Sequence, residues 1–205
     1  MQVEKIIAAV LEKSSDLPLG EPLNREMQDL CLSGPSMLQQ AVAWLVANDD
    51  CTIPHAGLFR HVGLTVLARY FCPMVRAFET WREEESWFRR YCPVCGSGPS
   101  MTQLAGSDPG RRRLLVCGCC GTRWRFPRVG CPFCENVNDH RLPVLAVEGE
   151  RRLRIDYCAS CLGYLKTYDG EGAEPVMLAD WTSLHLDLLA KDRGLKRLAT
   201  SLYEI

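Results

Sequence analysis

Eight of the twelve cysteines form four Cys-x-x-Cys pairs, and their spacing predicts metal binding. The pairs are Cys92/Cys95, Cys117/Cys120, Cys131/Cys134 and Cys158/Cys161. Two thiolates on one tight turn supply half of a tetrahedral metal site, and a second pair completes it. The first two pairs are separated by 21 residues and the last two by 23, with ten residues between the halves. We therefore expect two tetrahedral four-cysteine sites, assigned in sequence order.

The spacing leaves the identity of the metal open. Four thiolates in a tetrahedron suit Zn²⁺ and equally suit a single iron ion. A metal held by four cysteines has no free coordination position, so we do not expect metal-assisted hydrolysis. The four histidines lie in no metal-ligand motif with the cysteines, and no nucleophile elbow, Walker loop or dinucleotide-binding motif occurs. The sequence therefore predicts no catalytic residues.

The cysteine region contains an internal repeat. The first pair and its flanking residues recur after 39 residues, and the second pair recurs after 41. Each unit begins with a Cys-x-x-Cys pair on a turn, which we call a knuckle. A strand then leads into a second knuckle, and an aromatic-rich strand follows that knuckle. This layout is typical of a zinc ribbon or a rubredoxin-like module, in which metal binding supplies on the order of 10 kcal/mol of folding free energy. Gly96 and Gly121 follow two of the knuckles, where a positive φ is expected.

Four further cysteines fall outside the pairs. Cys119 lies inside the second knuckle, where the repeat has Ser160. Two interpretations stay open: Cys119 is a spare small residue, or it is a reactive thiol whose pKa is lowered by neighbouring arginines. Three isolated cysteines lie in apolar helical surroundings and are expected in the core, namely Cys31, Cys51 and Cys72.

The patterns predict an α+β protein with four segments. These are a helical domain over 1–87, a first four-cysteine ribbon over 88–129, a second over 130–170, and a C-terminal helical tail over 171–205. Helices are expected over Val3–Lys13, from Pro22 to Cys31, from Pro35 onward, and from Ala56 to about Trp87 with a kink or break at Pro73. In the tail, Asp180 or Thr182 is the expected N-cap of a helix that ends near Gly194.

Five short β-like stretches occur in the ribbon segments. They are Arg113–Cys117, Thr122–Phe126, Val144–Val147, Leu153–Tyr157 and Gly163–Tyr168. The surrounding glycines and prolines and the loss of helical periodicity favour strands joined by turns.

Composition and charge exclude some classes of function. The 205 residues carry a formal net charge of -1, which indicates no global attraction to nucleic acid or membranes. The apolar runs are too short to span a bilayer, and the N-terminus lacks the pattern of a signal peptide. We therefore expect a cytoplasmic protein, in whose reducing environment cysteines bind metal rather than form disulfides.

Residues 86–170 carry 13 basic and seven acidic residues. Arginines cluster with interleaved aromatic residues, which is compatible with nucleic-acid binding. The excess of basic residues is small for such a module, and an acidic protein surface or peptide is an equally suitable partner. The arginines in question are Arg111, Arg112, Arg113, Arg123, Arg125, Arg128, Arg151, Arg152 and Arg154.

Taken together, the motifs resemble those of formate dehydrogenase accessory proteins of the FdhE type. The resemblance covers about residues 86–195 and is most specific in three segments outside the Cys-x-x-Cys spacing itself. These are Cys120-Gly-Thr-Arg-Trp124, Cys161-Leu-Gly-Tyr-Leu-Lys166 and the tail from Ala179 to Leu189, Ala-Asp-Trp-Thr-Ser-Leu-His-Leu-Asp-Leu-Leu.

The resemblance implies a cytoplasmic assembly factor that is not an enzyme. Such a factor binds the catalytic subunit of a respiratory molybdenum- or tungsten-dependent formate dehydrogenase and assists its maturation. The resemblance also implies that all eight paired cysteines are ligands of iron or zinc, and that Asp180, Leu184 and Asp187 are structural or partner-contact residues. Two alternatives stay open: an iron-containing, rubredoxin-like redox protein and, less favoured, a zinc ribbon that binds nucleic acid.

Overall fold

Helices make up the first part of the chain. The computed structural model describes residues 2–18, 20–47, 52–80, 83, 86–107, 110–172, 174–199 and 201. The first four helices are α1 (Gln2–Ser14), α2 (Glu21–Leu32), α3 (Gly34–Ala47) and α4 (Ala56–Glu79). The chain divides into two compact units, one up to Cys72 and one from Pro73, so the boundary falls within α4.

The first unit has a helical core, which the spacing of apolar residues in the sequence predicts. On α1, Val3, Ile7 and Leu11 recur at helical spacing, and all three are buried. The predicted helices over the first 47 residues are confirmed, with a proline at the start of α2 as expected.

Two predictions for the helical segment are wrong, namely the end of its last helix and the burial of its cysteines. Helix α4 ends at Glu79, so Trp87 lies outside it, whereas Pro73 lies within this helix and does not divide it. Cys31 is exposed rather than buried, because it occupies a position on α2 that faces solvent, and Cys72 is half-buried. Cys51 lies outside the described residues.

In the second unit, the described residues form one mixed sheet. Its strands are β1 (Pro99–Ala105), β2 (Arg112–Cys117), β3 (Arg123–Arg125), β4 (Val144–Ala146), β5 (Leu153–Tyr157) and β6 (Tyr164–Asp169). The order across the sheet is β3-β2-β1-β6-β5-β4. Each four-cysteine segment thus contributes three consecutive strands, and the α+β class with two four-cysteine modules is confirmed. The predicted four-part division of the chain stays a prediction.

Strands β1 and β6 join the two modules. Their pairing is parallel, with Met101 opposite Lys166, whereas the other strand pairs are antiparallel. All seven residues of β1 are buried, and the buried Gln103 donates hydrogen bonds to the carbonyls of Gly170 and Gly172 at 2.6 and 2.8 Å. The two modules therefore share one hydrogen-bonded layer.

Two C-terminal helices, α5 (Glu174–Thr182) and α6 (Leu184–Asp192), pack against this sheet. On α5, Val176 and Ala179 contact Met101, and on α6 Leu186 packs against Ile155. The predicted N-cap residues Asp180 and Thr182 lie inside α5 instead. Ser183 separates the two helices and is the N-cap of α6.

A buried ion cluster connects the helices to the sheet. The ammonium of Lys166, on β6, lies 2.8 Å from an oxygen of Asp180 and 2.6 Å from one of Asp187. Arg197 approaches the same two carboxylates at 2.5 and 2.9 Å. Two cations thus face two carboxylates. The hydroxyl of Tyr164 donates a further hydrogen bond to Asp187, at 2.7 Å.

Burial and the neighbouring charges act in opposite directions on this cluster. Burial opposes ionisation of Asp180, but Arg197 and Lys166 lower its pKa below the ordinary value. Burial, together with the hydrogen bond to Asp187, raises the pKa of Tyr164. Asp180 is therefore ionised and the phenol of Tyr164 is neutral at physiological pH.

Across the described residues, no helix combines the length and the apolar character that crossing a bilayer requires.

We expect Lys166→Met to destabilise the protein by about 3–5 kcal/mol, since it leaves two buried carboxylates facing one cation. The free energy of unfolding, measured by denaturant titration, checks this. Lys191→Ala removes an exposed lysine of α6 and should change stability by less than about 0.5 kcal/mol. Equal effects of the two substitutions would contradict the structural role of the cluster.

Candidate metal centres

The structure brings the eight paired cysteines together in the two groups that the sequence predicts. The first group is Cys92, Cys95, Cys117 and Cys120, and the second is Cys131, Cys134, Cys158 and Cys161. In each group all four sulfur atoms lie within 4.8 Å of one another.

The sulfur spacing fits a tetrahedral metal ion. Sulfur pairs from opposite knuckles lie 3.4 and 3.5 Å apart in the first group and 3.7 Å apart in the second. Ligands at ~2.3 Å from a tetrahedral zinc ion have sulfurs ~3.8 Å apart. All eight cysteines are free rather than disulfide-bonded. Each group could hold one metal ion, and its identity stays open.

The same hydrogen-bonded turn forms each of the four knuckles. The first cysteine of each pair accepts a backbone hydrogen bond at its carbonyl from the residue four positions later. Its own amide donates to the carbonyl five positions later. For Cys92 these partners are Gly96 at 3.0 Å and Ser97 at 2.8 Å, and the pattern repeats at Cys117, Cys131 and Cys158. The internal repeat of the sequence is therefore a repeat of backbone geometry.

The fourth residue after each first cysteine has a positive φ. In the first group this residue is Gly96 (75°) or Gly121 (74°), as predicted. In the second group it is Glu135 (59°) or Leu162 (60°). Side chains other than glycine adopt this conformation at a cost of about 1–2 kcal/mol each. The second group therefore forms on more strained turns than the first.

The two groups also differ in burial. In the first group Cys95 is half-buried and the other three cysteines are buried. In the second group Cys131 and Cys158 are buried, Cys161 is half-buried and Cys134 is exposed. The second group is therefore the more exposed of the two.

Burial and hydrogen bonding give the thiols different pKa values. Burial alone would raise the pKa of Cys158, but amides of Cys161 and Ser160 and the neighbouring thiols lower it to about 7. Burial raises the pKa of Cys131 to about 12. In the first group, the hydrogen bond with Cys117 lowers the pKa of Cys95. Because metal binding must displace the remaining protons, affinity for metal should fall as pH falls.

Arg113 links the first module to the start of the second. It belongs to β2 and is 8% exposed, and its guanidinium donates to the carbonyls of Pro127 (3.1 Å) and Gly130 (2.8 Å). Gly130 directly precedes Cys131, and Pro127 lies four residues before it. A cavity of about 260 Å³ lies on this side of the sheet, where Arg113, Cys131 and Cys158 line its wall. Sequence reasoning placed Arg113 in a basic cluster and missed this role.

Other arginines of the predicted cluster also make contacts within the sheet. Arg154 pairs with Asp156 at 2.8 Å, and Arg111 pairs with Asp169. Such contacts favour a structural role for these residues over phosphate binding.

The surroundings of Cys119 favour the first of its two interpretations, a spare small residue. It is half-buried, and a hydrogen bond with Cys95 together with burial raises its pKa. The environment of Cys119 therefore favours a neutral thiol beside the first group.

Two of the three candidate residues in the tail belong to the ion cluster described above. Asp180 and Asp187 are buried against Lys166, and Leu184 is half-buried. The acidic pair is therefore structural. Lys166, which the sequence indicated only as part of a motif, is a second residue whose role sequence reasoning missed. A lysine at a strand position that points toward the core was the available signal.

Comparisons with known proteins identify similar chains. A protein FdhE homolog of Aquifex aeolicus is 34% identical over 133 residues, which cover 62% of this chain and 47% of that protein. A protein FdhE homolog of Cronobacter sakazakii is 38% identical over 122 residues, covering 57% of this chain and 38% of that protein. No protein-family model matches the chain. The resemblance to FdhE proteins is confirmed, although the chain spans less than half the length of these curated relatives.

The fold also matches a solved structure. The crystal structure of the FdhE protein from Pseudomonas aeruginosa superposes with a TM-score of 0.71 over 96% of this chain and 68% of that one. Sequence identity is 23%, so this likeness shows a shared fold.

We expect the purified protein to bind two metal ions per chain. Cys92→Ser and Cys131→Ser should each reduce this to one, because each substitution removes a ligand from a different group. Cys31→Ser, at an exposed cysteine outside both groups, should leave two. Elemental analysis of anaerobically purified protein measures the ratio. Loss of both ions in either single variant would contradict two separate centres.

Proposed function

We propose that this protein is a cytoplasmic accessory factor that binds the catalytic subunit of a respiratory molybdenum- or tungsten-dependent formate dehydrogenase and assists its maturation. The observation that carries the proposal is the sequence similarity to FdhE proteins. The motif residues beyond the cysteines add support, since Lys166 and Asp187 meet in the buried ion cluster. The client and the maturation step are parts of the proposal.

In this proposal the eight paired cysteines bind two metal ions, iron or zinc. A tetrahedral site with four thiolates has no open position for a substrate. The metal ions therefore fold and stiffen the second unit, and its function is binding rather than catalysis.

A groove between the knuckles of the two modules offers a surface for the client. Tyr91 and Pro99 of the first module line it with Phe133 of the second and Leu198 of the tail. Tyr91 is 43% and Leu198 is 49% exposed, and Arg90 lies at the same groove. Aromatic side chains and arginine are enriched in protein interfaces. The groove has a volume of about 350 Å³, which suits contact with a short segment of the client.

A redox role is the second candidate, and the exposure of Cys134 favours it. Electron transfer to an iron held by four thiolates requires close approach of a partner, and an exposed cysteine ligand permits that approach. A redox protein would require iron, whereas the binding role is compatible with zinc.

We expect the tagged protein to copurify with the formate dehydrogenase catalytic subunit from the native host. The double variant Tyr91→Ala/Leu198→Ala should lose most of this subunit, since it removes the exposed apolar contacts of the groove. Val137→Ala changes another exposed residue, at 73% exposure, and should retain it. Quantitative mass spectrometry of the copurified proteins gives the ratio. Repeated failure to recover the subunit with the unaltered protein would contradict the proposal.

The absorption spectrum separates the two candidates. Oxidised protein that holds iron on four thiolates should be red and should bleach on reduction, whereas zinc protein should be colourless. A colourless protein with two zinc ions per chain, isolated without oxygen from the native host, would contradict the redox role and leave the binding role intact.

A further inference from the structure

We propose that the second four-cysteine centre is the oxidant-sensitive one, with Cys134 as its point of attack, and that it releases its metal ion while the first centre stays loaded. The proposal rests on metal binding by the eight cysteines but not on the identity of the client. Two structural differences between the centres support it, together with a cavity beside the second centre.

The first difference is access to sulfur. Each group has two cysteines that are at most 2% exposed, but Cys134 is exposed whereas its counterpart in the first group, Cys95, is half-buried. A peroxide must reach the sulfur atom to react, and susceptibility of cysteine follows exposure and thiolate character. Metal-bound cysteines are thiolates in both groups, so exposure decides between them.

The second difference is strain in the turns. Of the described residues other than glycine, only His55, Glu135 and Leu162 have a positive φ, and the last two lie in the second group. The equivalent positions in the first group are Gly96 and Gly121, which adopt this conformation without penalty. The metal-loaded form of the second centre is therefore less favoured by its backbone.

A cavity lies beside the second group. Cys131 and Cys158 line it. The cavity gives these cysteines room to move when the metal ion leaves.

The chemistry needs a hydroperoxide as co-reactant. The Cys134 sulfur attacks one peroxide oxygen, an S–O bond forms, the O–O bond breaks, and hydroxide leaves and takes up a proton. A second thiolate of the group then attacks the sulfenic sulfur; the sulfur of Cys158 lies 3.7 Å away. An S–S bond forms and a second water leaves. The two sulfurs lose two electrons, the peroxide gains them, and two protons are consumed. The disulfide can no longer supply two thiolates to the metal.

Zinc-loaded protein treated with hydrogen peroxide tests the proposal. Zinc release is followed with a chromophoric chelator, and oxidised cysteines are mapped by mass spectrometry. We expect release in two phases, with oxidation at Cys134 accompanying the first and with Cys95 still reduced at its end. First oxidation in the Cys92 group or at Cys119, or simultaneous release of both ions, would overturn the proposal. A protein that starts with no zinc would instead contradict the metal-binding proposal itself.

Turn variants test the same order without oxidant. In chelator competition, Leu162→Gly should slow release from the second centre about tenfold, since it removes the left-handed penalty. Gly121→Ala adds that penalty to the first centre and should accelerate its release by a similar factor. If the fast phase of metal release is unchanged in Leu162→Gly, the contribution of strain is overturned. If, in addition, the peroxide experiment shows release in a single phase, the proposal as a whole is overturned.

Discussion

The second unit depends on the confinement of eight cysteines in two small volumes. Sulfur atoms held 3.4–3.7 Å apart cannot all be thiolates without a cation between them, because like charges at that distance repel strongly. A metal ion in each group would remove the repulsion. It would also join the knuckle that precedes the first strand of a module to the knuckle that lies between its second and third strands. The short strands β3 and β4, three residues each, could not hold these turns together alone.

The two four-cysteine groups are also connected through one sheet. The parallel pairing of β1 with β6 joins the modules, and Arg113 of the first module donates hydrogen bonds to the chain just before Cys131. The cluster around Lys166 then attaches α5 and α6 to the same sheet. A partner that docks at the groove between the knuckles therefore meets a surface whose two sides are connected through the sheet, which lowers the entropic cost of binding.

Local signals made the candidate centres predictable, and long-range pairing made the sheet hard to predict. The Cys-x-x-Cys spacing gave the grouping of the cysteines, and Gly96 and Gly121 gave the turn geometry. Strand β1 was missed because it is buried on both faces and its polar residues, such as Gln103, hide the alternation that marks a strand. The positive φ angles of Glu135 and Leu162 could not be predicted, because in a sequence it is glycine that indicates this conformation. The joining of the modules through β1 and β6 depends on contacts about 65 residues apart along the chain, which no local pattern records.

The central claim is that metal-ordered modules form a binding platform for a formate dehydrogenase catalytic subunit. Calorimetric titration of that purified subunit into metal-loaded and into chelator-stripped protein tests it most directly. The account predicts saturable binding to the loaded protein and at least about 100-fold weaker binding after the metal is removed, a difference of about 2.8 kcal/mol. Equal affinity of the loaded and stripped forms, or no binding to the loaded form, would contradict it.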